Sequence, residues 1–271
     1  MCGIVGIFNL DKEDIKNQSL YDMCRTIEHR GPDDRGTYFR QNFSMGMQRL
    51  SIIDIDNGSQ PIYNKQKTVW TVFNGEIYNY KELRKKLVAK NYEFNSNTDT
   101  EVIVHLYEEY GENFVTLLNG MFSIALWDVD KETLFLYRDR MGEKPLHYHY
   151  DNKKLFFGSE IKSILINKNI SNEIDYYALS LYFSLGYIPA PYTIYKDIKK
   201  LLPAHYIKIN THSFKIKEYW SLNINDQLEL KPEAYYAEKI IELLTDSIRL
   251  RLISDVPLGS FLSGGIDSSL I

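Results

Sequence analysis

The first three residues, Met1, Cys2 and Gly3, hold the groups with the clearest chemical potential in this chain. Because the residue at position 2 is small, an aminopeptidase can remove Met1 and leave Cys2 with a free α-amine. A thiol has an ordinary pKa of about 8.5 and an α-amine one of about 7.7–8.0, so both groups titrate near working pH. Cys2 would then carry a nucleophile and a base, as an N-terminal threonine does in other enzymes. Alone this is a weak signal, since most such cysteines are inert.

A second suggestive segment lies near the other end of the chain. The small residues Ser263, Gly264 and Gly265 follow a predicted strand over 257–262 and precede the start of a helix. Backbone N–H groups in such a loop, together with a helix N-terminus, form a site suited to phosphate. It is not a Walker loop, because the Gly-Lys-Ser/Thr ending is absent. Without other signals, a tight Gly-Gly turn is the better interpretation.

Composition limits the possible functions. Of the 271 residues, 44% are hydrophobic and 25% are charged, as in ordinary globular proteins. The net charge of −4 gives no excess of positive charge for nucleic acid or anionic lipid. The two cysteines, Cys2 and Cys24, cannot form a metal cluster, so we expect a reducing compartment and no structural metal. The apolar start lacks the features of a signal peptide, and we therefore expect a cytoplasmic protein.

Alternating hydrophobicity predicts a β-rich chain with several helices. Residues 3–9 form a predicted buried strand that carries Cys2 at its tip. Further strands are predicted at 35–40, 44–50, 68–73, 121–128, 133–138, 146–150 and 155–158. Helices are predicted after Ser19, over 80–90, and from the capping box at 98–101 to Gly111. Strand pairs that enclose helical segments indicate an α+β sandwich of sheets covered by helices.

The last quarter of the chain has a different character. Gly and Pro interrupt short extended pieces between 186 and 220, and residues 232–253 have the periodicity of an amphipathic helix. We expect a first domain over 1–210, a linker over 211–231, and the beginning of a second domain over 232–271. A lone strand cannot bury its faces, so we expect the segment after about 231 to be poorly ordered or to adhere to neighbouring molecules.

Nine motifs, taken in order, resemble those of glutamine-dependent asparagine synthetases over essentially the whole chain. They are CGIVGIF (2–8), RGPDD (30–34), RLSIID (49–54), NGEIYN (74–79), TDTE (98–101), GMFSIALWD (120–128), RDRMGEKPL (138–146), GSEIKS (158–163) and FLSGGIDSS (261–269). The resemblance implies that the front half is a class II glutamine amidotransferase with the four-layer αββα fold of N-terminal-nucleophile hydrolases. It implies that the back half begins an α/β ATP-pyrophosphatase domain of the adenine-nucleotide-hydrolase type.

The resemblance also implies roles for particular residues in glutamine hydrolysis. Cys2 would attack the side-chain amide carbon, and the Asn74 side chain and the Gly75 backbone N–H would stabilise the oxyanion. Arg49 would bind the α-carboxylate of glutamine, and Asp99 with Glu76 would receive its α-ammonium group. The family's glutamine pocket is also lined by the backbone of Leu50, Ser51, Ile52 and Ile53.

Several of these residues also have a purely structural interpretation. Arg49 could form a surface salt bridge, Asp99 could cap a helix, and Asn74-Gly75 has the composition of a hairpin turn. These interpretations are reasonable for single residues. They are weaker when all the residues fall within motifs of the same family.

For the back half, the resemblance implies binding of ATP with Mg²⁺. The matching positions are Leu262, Ser263, Gly264, Gly265, Asp267 and Ser268. Loop amides and hydroxyls would contact the phosphates, and the metal ion would offset their charge. The full-length enzyme would use the ammonia to amidate an ATP-activated aspartate to asparagine. For this polypeptide alone we expect glutamine hydrolysis at most.

Other functions stay open at this point. The same motifs occur in relatives that amidate a sugar carboxylate or close a β-lactam, and the acceptor is chosen largely by the back half. A different class of function is a non-catalytic binding module that retains Met1, in which Cys2 has no free amine. The oligomeric state is also open, a homodimer included.

Overall fold

The run Gly3–Asn9 forms strand β1, and all seven of its residues are buried. In this computed structural model, which describes residues 2–224 and 230–271, β1 lies inside a sheet between β3 (Phe43–Arg49) and β9 (Lys154–Gly158). Both pairings are antiparallel. A strand with two neighbours and apolar residues on both faces is well fixed, which places Cys2 at the edge of a rigid element.

The described residues form two six-stranded antiparallel sheets. Besides β1, β3 and β9, the strands are β2 (Asp34–Phe39), β4 (Ile62–Tyr63), β5 (Val69–Ile77), β6 (Gly120–Asp128), β7 (Thr133–Arg138), β8 (His147–Tyr150), β10 (Lys199–Lys200), β11 (His205–Asn210) and β12 (Ser213–Glu218). The first sheet has the order β10-β8-β9-β1-β3-β2, and the second has the order β12-β11-β7-β6-β5-β4.

Seven α-helices are present in the described ranges. They are α1 (Asn17–Thr26), α2 (Tyr80–Val88), α3 (Glu101–Tyr110), α4 (Ile161–Leu165), α5 (Tyr176–Leu185), α6 (Glu233–Arg251) and α7 (Ile266–Leu270). Within that part of the chain, no helix combines the length and apolar character needed to cross a membrane.

The sheets and helices are stacked in four layers. A central core joins the inner faces of the two sheets through residues such as Phe8, Phe43 and Trp127. On the outer face of the first sheet, α1 and α4 pack against β1. On the outer face of the second sheet, α2 and α3 cover β5, β6 and β7. This arrangement is the α+β sandwich that the sequence pattern predicts, with the four-layer αββα order that the family resemblance implies.

Most predicted elements are observed with small shifts at their ends. The predicted strands at 3–9 and 133–138 match β1 and β7, and the predicted helix over 80–90 is α2. Helix α3 begins at Glu101, and the carboxylate of Glu101 accepts hydrogen bonds from the Asn95 and Ser96 amides. The capping box expected at 98–101 is therefore replaced by contacts with the preceding loop.

Strand β12 lies within the range expected to be a linker, 211–231. Its residues Ser213–Glu218 pair with β11 and extend the second sheet, because a tight turn at Asn210 reverses the chain. The sheet therefore continues beyond the expected boundary at 210. Residues 225–229 of the expected linker lie outside the described residues.

The segment from α6 onward has no core of its own among the described residues. No residue of α6 is buried, although the helix spans most of the predicted 232–253. The expected strand over 257–262 is not formed, since no other strand lies beside it to accept its backbone hydrogen bonds. The predicted helix start after the Gly-Gly loop is observed as α7.

Trp127 is a strong test of the packing between the sheets. Its ring stacks on Phe43 with centroids 4.2 Å apart and meets the edge of Phe8 at 5.2 Å. We predict that Trp127→Ala lowers the free energy of unfolding by about 3–5 kcal/mol, because the central core would lose a large buried ring. Denaturant unfolding measures this change.

The matched control for that variant is Tyr176→Ala, which truncates a ring that is 73% exposed. We expect it to change the free energy of unfolding by less than about 0.5 kcal/mol. Equal effects of the two substitutions would contradict the described core.

Candidate active site

A cavity of 320 Å³ lies where β1, β3 and β5 approach one another, and Cys2 lines it. The predicted glutamine-site residues that line it with Cys2 are Arg49, Leu50, Ile52, Ile53, Asn74, Gly75, Glu76 and Asp99. Ser51 is not one of the lining residues, and its backbone N–H donates to the Asp33 carboxylate. The fold thus brings together residues from four separate motifs.

Cys2 is held by the chain that follows β3. Its Sγ lies 3.4 Å from the backbone nitrogen of Leu50 and 3.6 Å from the Leu50 carbonyl oxygen. The Arg30 Nε donates to the Cys2 carbonyl oxygen at 2.8 Å. Burial raises the pKa of the Cys2 thiol, and the Leu50 N–H partly offsets that rise by stabilising the thiolate.

Asn74 and Gly75 lie within β5 and not at a turn. They pair with Ser123 and Phe122 of β6, so the hairpin-turn interpretation is wrong. A Cβ atom on Gly75 would collide with the Met121 carbonyl oxygen, which explains why glycine is required there. Asn74 is 1% exposed. Its side-chain Nδ2 finds no hydrogen-bond partner among the described residues, although buried donors are normally paired.

Asp99 supplies a buried carboxylate to the same cavity. Its Oδ2 accepts a hydrogen bond from the Ile77 backbone at 2.8 Å, and Thr98 Oγ1 lies 3.2 Å from Oδ1. Burial raises the pKa of Asp99 to about 6 despite these bonds. The N-cap position of α3 is Thr100, and no side chain makes the capping hydrogen bond. Helix capping therefore does not account for Asp99.

Arg49 is 5% exposed, so the interpretation as a surface salt bridge is wrong. Its Nη1 donates to the Ile55 carbonyl oxygen at 3.1 Å, and its Nη2 donates to those of Ile53 and Asp54 at 2.9 and 2.8 Å. A Cβ atom on Gly58 would collide with Nη2, so this glycine leaves room for the guanidinium. These three hydrogen bonds fix the Arg49 guanidinium against the loop 53–55.

Further charged groups surround the cavity. Glu76 and Lys144 both line it, and Lys144 is 7% exposed. Burial raises the pKa of Glu76, while the positive charges of Lys144 and Arg251 act against that rise. With Arg49 and Asp99, the cavity holds groups of both signs. Such a balance suits a zwitterion better than a ligand of one charge.

Sequence reasoning gave no role to several residues that shape this site. Arg30 joins the Cys2 carbonyl to the Glu160 carboxylate, and Gln60 bridges Phe73 and Thr100. Arg30, Glu160 and Lys144 do lie in quoted motifs, so membership of those motifs was the available signal. Gln60 lies outside the quoted motifs.

The expected nucleotide residues stay close together but form an exposed loop. Gly264 has a φ of +80°, and Ser263 Oγ lies 2.9 Å from Ser268 Oγ at the start of α7. Asp267 lies in the first turn of that helix, and Leu262 is 73% exposed. The donor set of amides and hydroxyls fits a phosphate. No group of three or more His, Cys, Asp or Glu side chains in the described residues could hold a metal ion.

Comparison with known families agrees with this geometry. The family model described as "Glutamine amidotransferase domain" matches residues 1–220. The chain belongs to the glutamine amidotransferase family. A second model, described as "Asparagine synthase", matches residues 239–271. Strand β12 falls inside the amidotransferase match, and most of α6 falls inside the synthase match.

Curated relatives of this glutamine amidotransferase match all or most of the chain. It is 40% identical over 283 residues to asparagine synthetase [glutamine-hydrolyzing] 1 of Bacillus subtilis, covering 100% of this chain and 43% of that protein. It is 33% identical over 274 residues to asparagine synthetase B of Escherichia coli, covering 100% and 44%. Amidase chry2 of Gibberella zeae is 36% identical over 251 residues, covering 90% and 37%. The chain thus spans less than half the length of each.

Solved structures support the fold. Glutamine phosphoribosylpyrophosphate amidotransferase from B. subtilis superimposes with a TM-score of 0.60 at 17% identity, covering 83% of this chain and 50% of that chain. A second structure, titled as the allosteric regulatory enzyme of purine biosynthesis, gives a TM-score of 0.61 at 18% identity over the same shares. At these identities the likeness supports the fold alone.

The two cysteines differ sharply in environment, which gives a test of the site. Cys24 is fully buried, and burial raises the pKa of its thiol to about 12, whereas Cys2 lines the cavity and is partly exposed. We predict that a small alkylating reagent modifies Cys2 and leaves Cys24 unmodified in the folded protein. The rate should increase with pH because the thiolate is the nucleophile.

Peptide mass spectrometry after timed quenching measures this labelling. A denatured sample, in which both thiols react, is the control for peptide recovery. Equal labelling of Cys24 in the folded protein would contradict the described burial.

Proposed function

We propose that this chain hydrolyses glutamine to glutamate and ammonia with Cys2 as the nucleophile. After removal of Met1, the thiolate attacks the side-chain amide carbon, and the C–N bond then breaks. Ammonia leaves after it receives the thiol proton through the Cys2 α-amine, and a γ-glutamyl thioester remains on Sγ. Attack by water on the thioester releases glutamate and restores the thiol.

The unpaired Asn74 amide is the observation that carries this proposal. A buried N–H group without a partner is unfavourable in the resting protein, but it becomes favourable when an oxyanion forms beside it. The Gly75 backbone N–H is the second donor that we assign to the oxyanion. Both residues line the same cavity as Cys2.

Glutamine itself would be recognised by its two charged ends. We assign its α-carboxylate to Arg49 and its α-ammonium group to Asp99 and Glu76, since these charges lie in the cavity with Cys2. Leu50, Ile52 and Ile53 form part of the wall. We assign no contact with glutamine to the Ser51 amide, because it donates to the Asp33 carboxylate.

The relatives are longer proteins, of which this chain matches less than half. For a protein of that full length, we propose glutamine-dependent asparagine synthesis. The match of residues 239–271 and the named relatives support it. Bound ATP with Mg²⁺ would supply activation of the aspartate carboxylate. Ser263, Gly264, Gly265 and Ser268 would hold the phosphates by their amides and hydroxyls, with Asp267 and Leu262 beside them. Mg²⁺ would be bound chiefly by phosphate oxygens and water.

The relatives carry two kinds of name, which bears on the acceptor of the ammonia. Relatives named as amidases match 90% of the chain, and relatives named as asparagine synthetases match all of it. Glutamine hydrolysis is therefore the activity that the described cavity supports best, and aspartate is the acceptor that the synthase match favours.

Substitution of Asn74 tests the oxyanion assignment. We predict that Asn74→Ala lowers kcat for ammonia release by about 10²–10³-fold, because one donor to the oxyanion is lost. Cys2→Ala should abolish release. Asn169→Ala, which truncates an exposed asparagine elsewhere, should leave kcat unchanged.

A coupled ammonia assay with glutamine as substrate measures these rates, and intact mass confirms that Met1 is absent. If Cys2→Ala were as active as the unsubstituted chain, the assigned nucleophile would be refuted. An Asn74→Ala variant with full kcat would remove the oxyanion assignment.

The raised pKa of Asp99 predicts a pH-dependent affinity for glutamine. The carboxylate, and not the neutral acid, receives the α-ammonium group, so KM should increase as pH falls through about 6. Asp99→Asn should increase KM at pH 8 by about 10- to 100-fold, the value of a hydrogen bond to a charged group. The variant should also lose the dependence of KM on pH near 6.

Initial rates between pH 5 and 8 at several glutamine concentrations provide both readouts. The unsubstituted chain provides the reference profile. A KM that stays constant through pH 6 in the unsubstituted chain would contradict the role of Asp99.

A further inference from the structure

Asp255 is far from the loop 52–55 in sequence but forms hydrogen bonds with it. Its backbone N–H donates to the Ile52 carbonyl oxygen at 3.0 Å, and its Oδ2 accepts from the Asp54 backbone N–H at 2.7 Å. These two hydrogen bonds bracket residues 52–54. Asp255 lies just after α6, within the part that matches the asparagine synthase model. The contact therefore joins the two family regions.

Neighbouring residues of the same segment strengthen the contact. The Arg251 guanidinium lies 4.4 Å from the centre of the Tyr78 ring, close enough for a cation–π interaction. Ile253 packs against the core that β5 shares with α2 and α3. The segment 251–255 thus approaches the amidotransferase fold through three different kinds of contact.

Asp54 connects this segment to Arg49. Its φ of +51° is a left-handed conformation that non-glycine residues rarely adopt. Its carbonyl oxygen accepts from Arg49 Nη2 at 2.8 Å, and its carboxylate accepts from the Asn97 backbone N–H at 2.6 Å. An unfavourable conformation persists only when its surroundings hold it. The hydrogen bond that the Asp54 N–H donates to the Asp255 carboxylate is therefore part of what keeps the loop in place.

We propose that Asp255 is a positioning residue that holds the loop 52–55, and through it the Arg49 guanidinium, in the arrangement that binds glutamine. The inference rests on the proposed function, since it assigns a regulatory contact to the same site. The described path runs from Asp255 to Asp54 and from Asp54 to Arg49. It makes affinity for glutamine depend on the position of the synthase region.

The coupling between Asp255 and the glutamine site must be reciprocal. Only residues 256–262 separate Asp255 from Ser263, the first polar residue of the proposed phosphate loop. If the loop arrangement favoured by Asp255 binds glutamine more tightly, glutamine must by linkage favour the docked position of Asp255. Glutamine binding would therefore stabilise the position of Asp255, and with it the start of the segment 256–262 that leads to the phosphate loop.

Kinetics of three variants test the proposal in the whole chain. Asp255→Ala removes the acceptor, and we expect KM for glutamine to increase about 5- to 10-fold with kcat within about twofold, the value of one hydrogen bond. Asp255→Asn keeps a carbonyl oxygen that can accept from Asp54, so its KM should stay within about twofold. The matched control is Asp246→Asn, which removes an exposed carboxylate of α6 that pairs with Arg249.

The split between KM and kcat separates positioning from general destabilisation. Partial unfolding would lower the apparent kcat and leave KM unchanged. An unchanged KM in Asp255→Ala, or an equal increase in Asp246→Asn, would overturn the proposal.

Hydrogen exchange gives a readout that needs no turnover. In Asp255→Ala the amides of 52–55 should exchange faster than in the unsubstituted chain, whereas Asp246→Asn should leave them unchanged. In Cys2→Ala, saturating glutamine should slow exchange over 252–255. Unchanged exchange at 52–55 in Asp255→Ala would refute the coupling. A chain that releases no ammonia, yet shows these exchange changes, would instead refute the proposed hydrolysis.

Discussion

The central position of β1 is the constraint on which the rest of the structure depends. Because β1 pairs with both β3 and β9, the residue before it has a fixed place beside the end of β3. That place puts the Cys2 sulfur 3.4 Å from the Leu50 amide. Leu50 directly follows Arg49, so one strand pairing sets both the proposed nucleophile and the proposed binding group for the substrate carboxylate.

Several features of the cavity residues lower the local stability of the fold. Asn74 keeps a buried donor without a partner in the described structure, Asp99 has its pKa raised to about 6 by burial, and Asp54 adopts a left-handed backbone. Taken alone, each feature is unfavourable. In the proposed function, the Asn74 donor and the Asp99 carboxylate gain partners when glutamine binds, while hydrogen bonds with Asn97 and Asp255 hold Asp54. The surrounding sheets supply the rigidity that permits this.

Sequence patterns predicted the layers and many of the cavity residues, because strand alternation and family motifs are local signals. The sequence patterns gave wrong or missing predictions where the local structure depends on contacts between residues far apart in sequence. Asn74-Gly75 has the composition of a turn, but pairing with Ser123 and Phe122 keeps it within β5. Helix α5 was missed because it is apolar on most sides and lacks a clear period. The contact of Asp255 with Asp54 spans 201 positions and leaves no trace in local sequence.

In the proposed mechanism, the Cys2 sulfur of a chain without Met1 carries the glutamyl group during turnover. Acid quenching during glutamine hydrolysis, followed by mass analysis of the N-terminal peptide, measures this most directly. We expect a glutamyl adduct on Cys2 in a peptide that begins at Cys2. Steady ammonia release from a chain that retains Met1, or an adduct on Cys24 in place of Cys2, would contradict it.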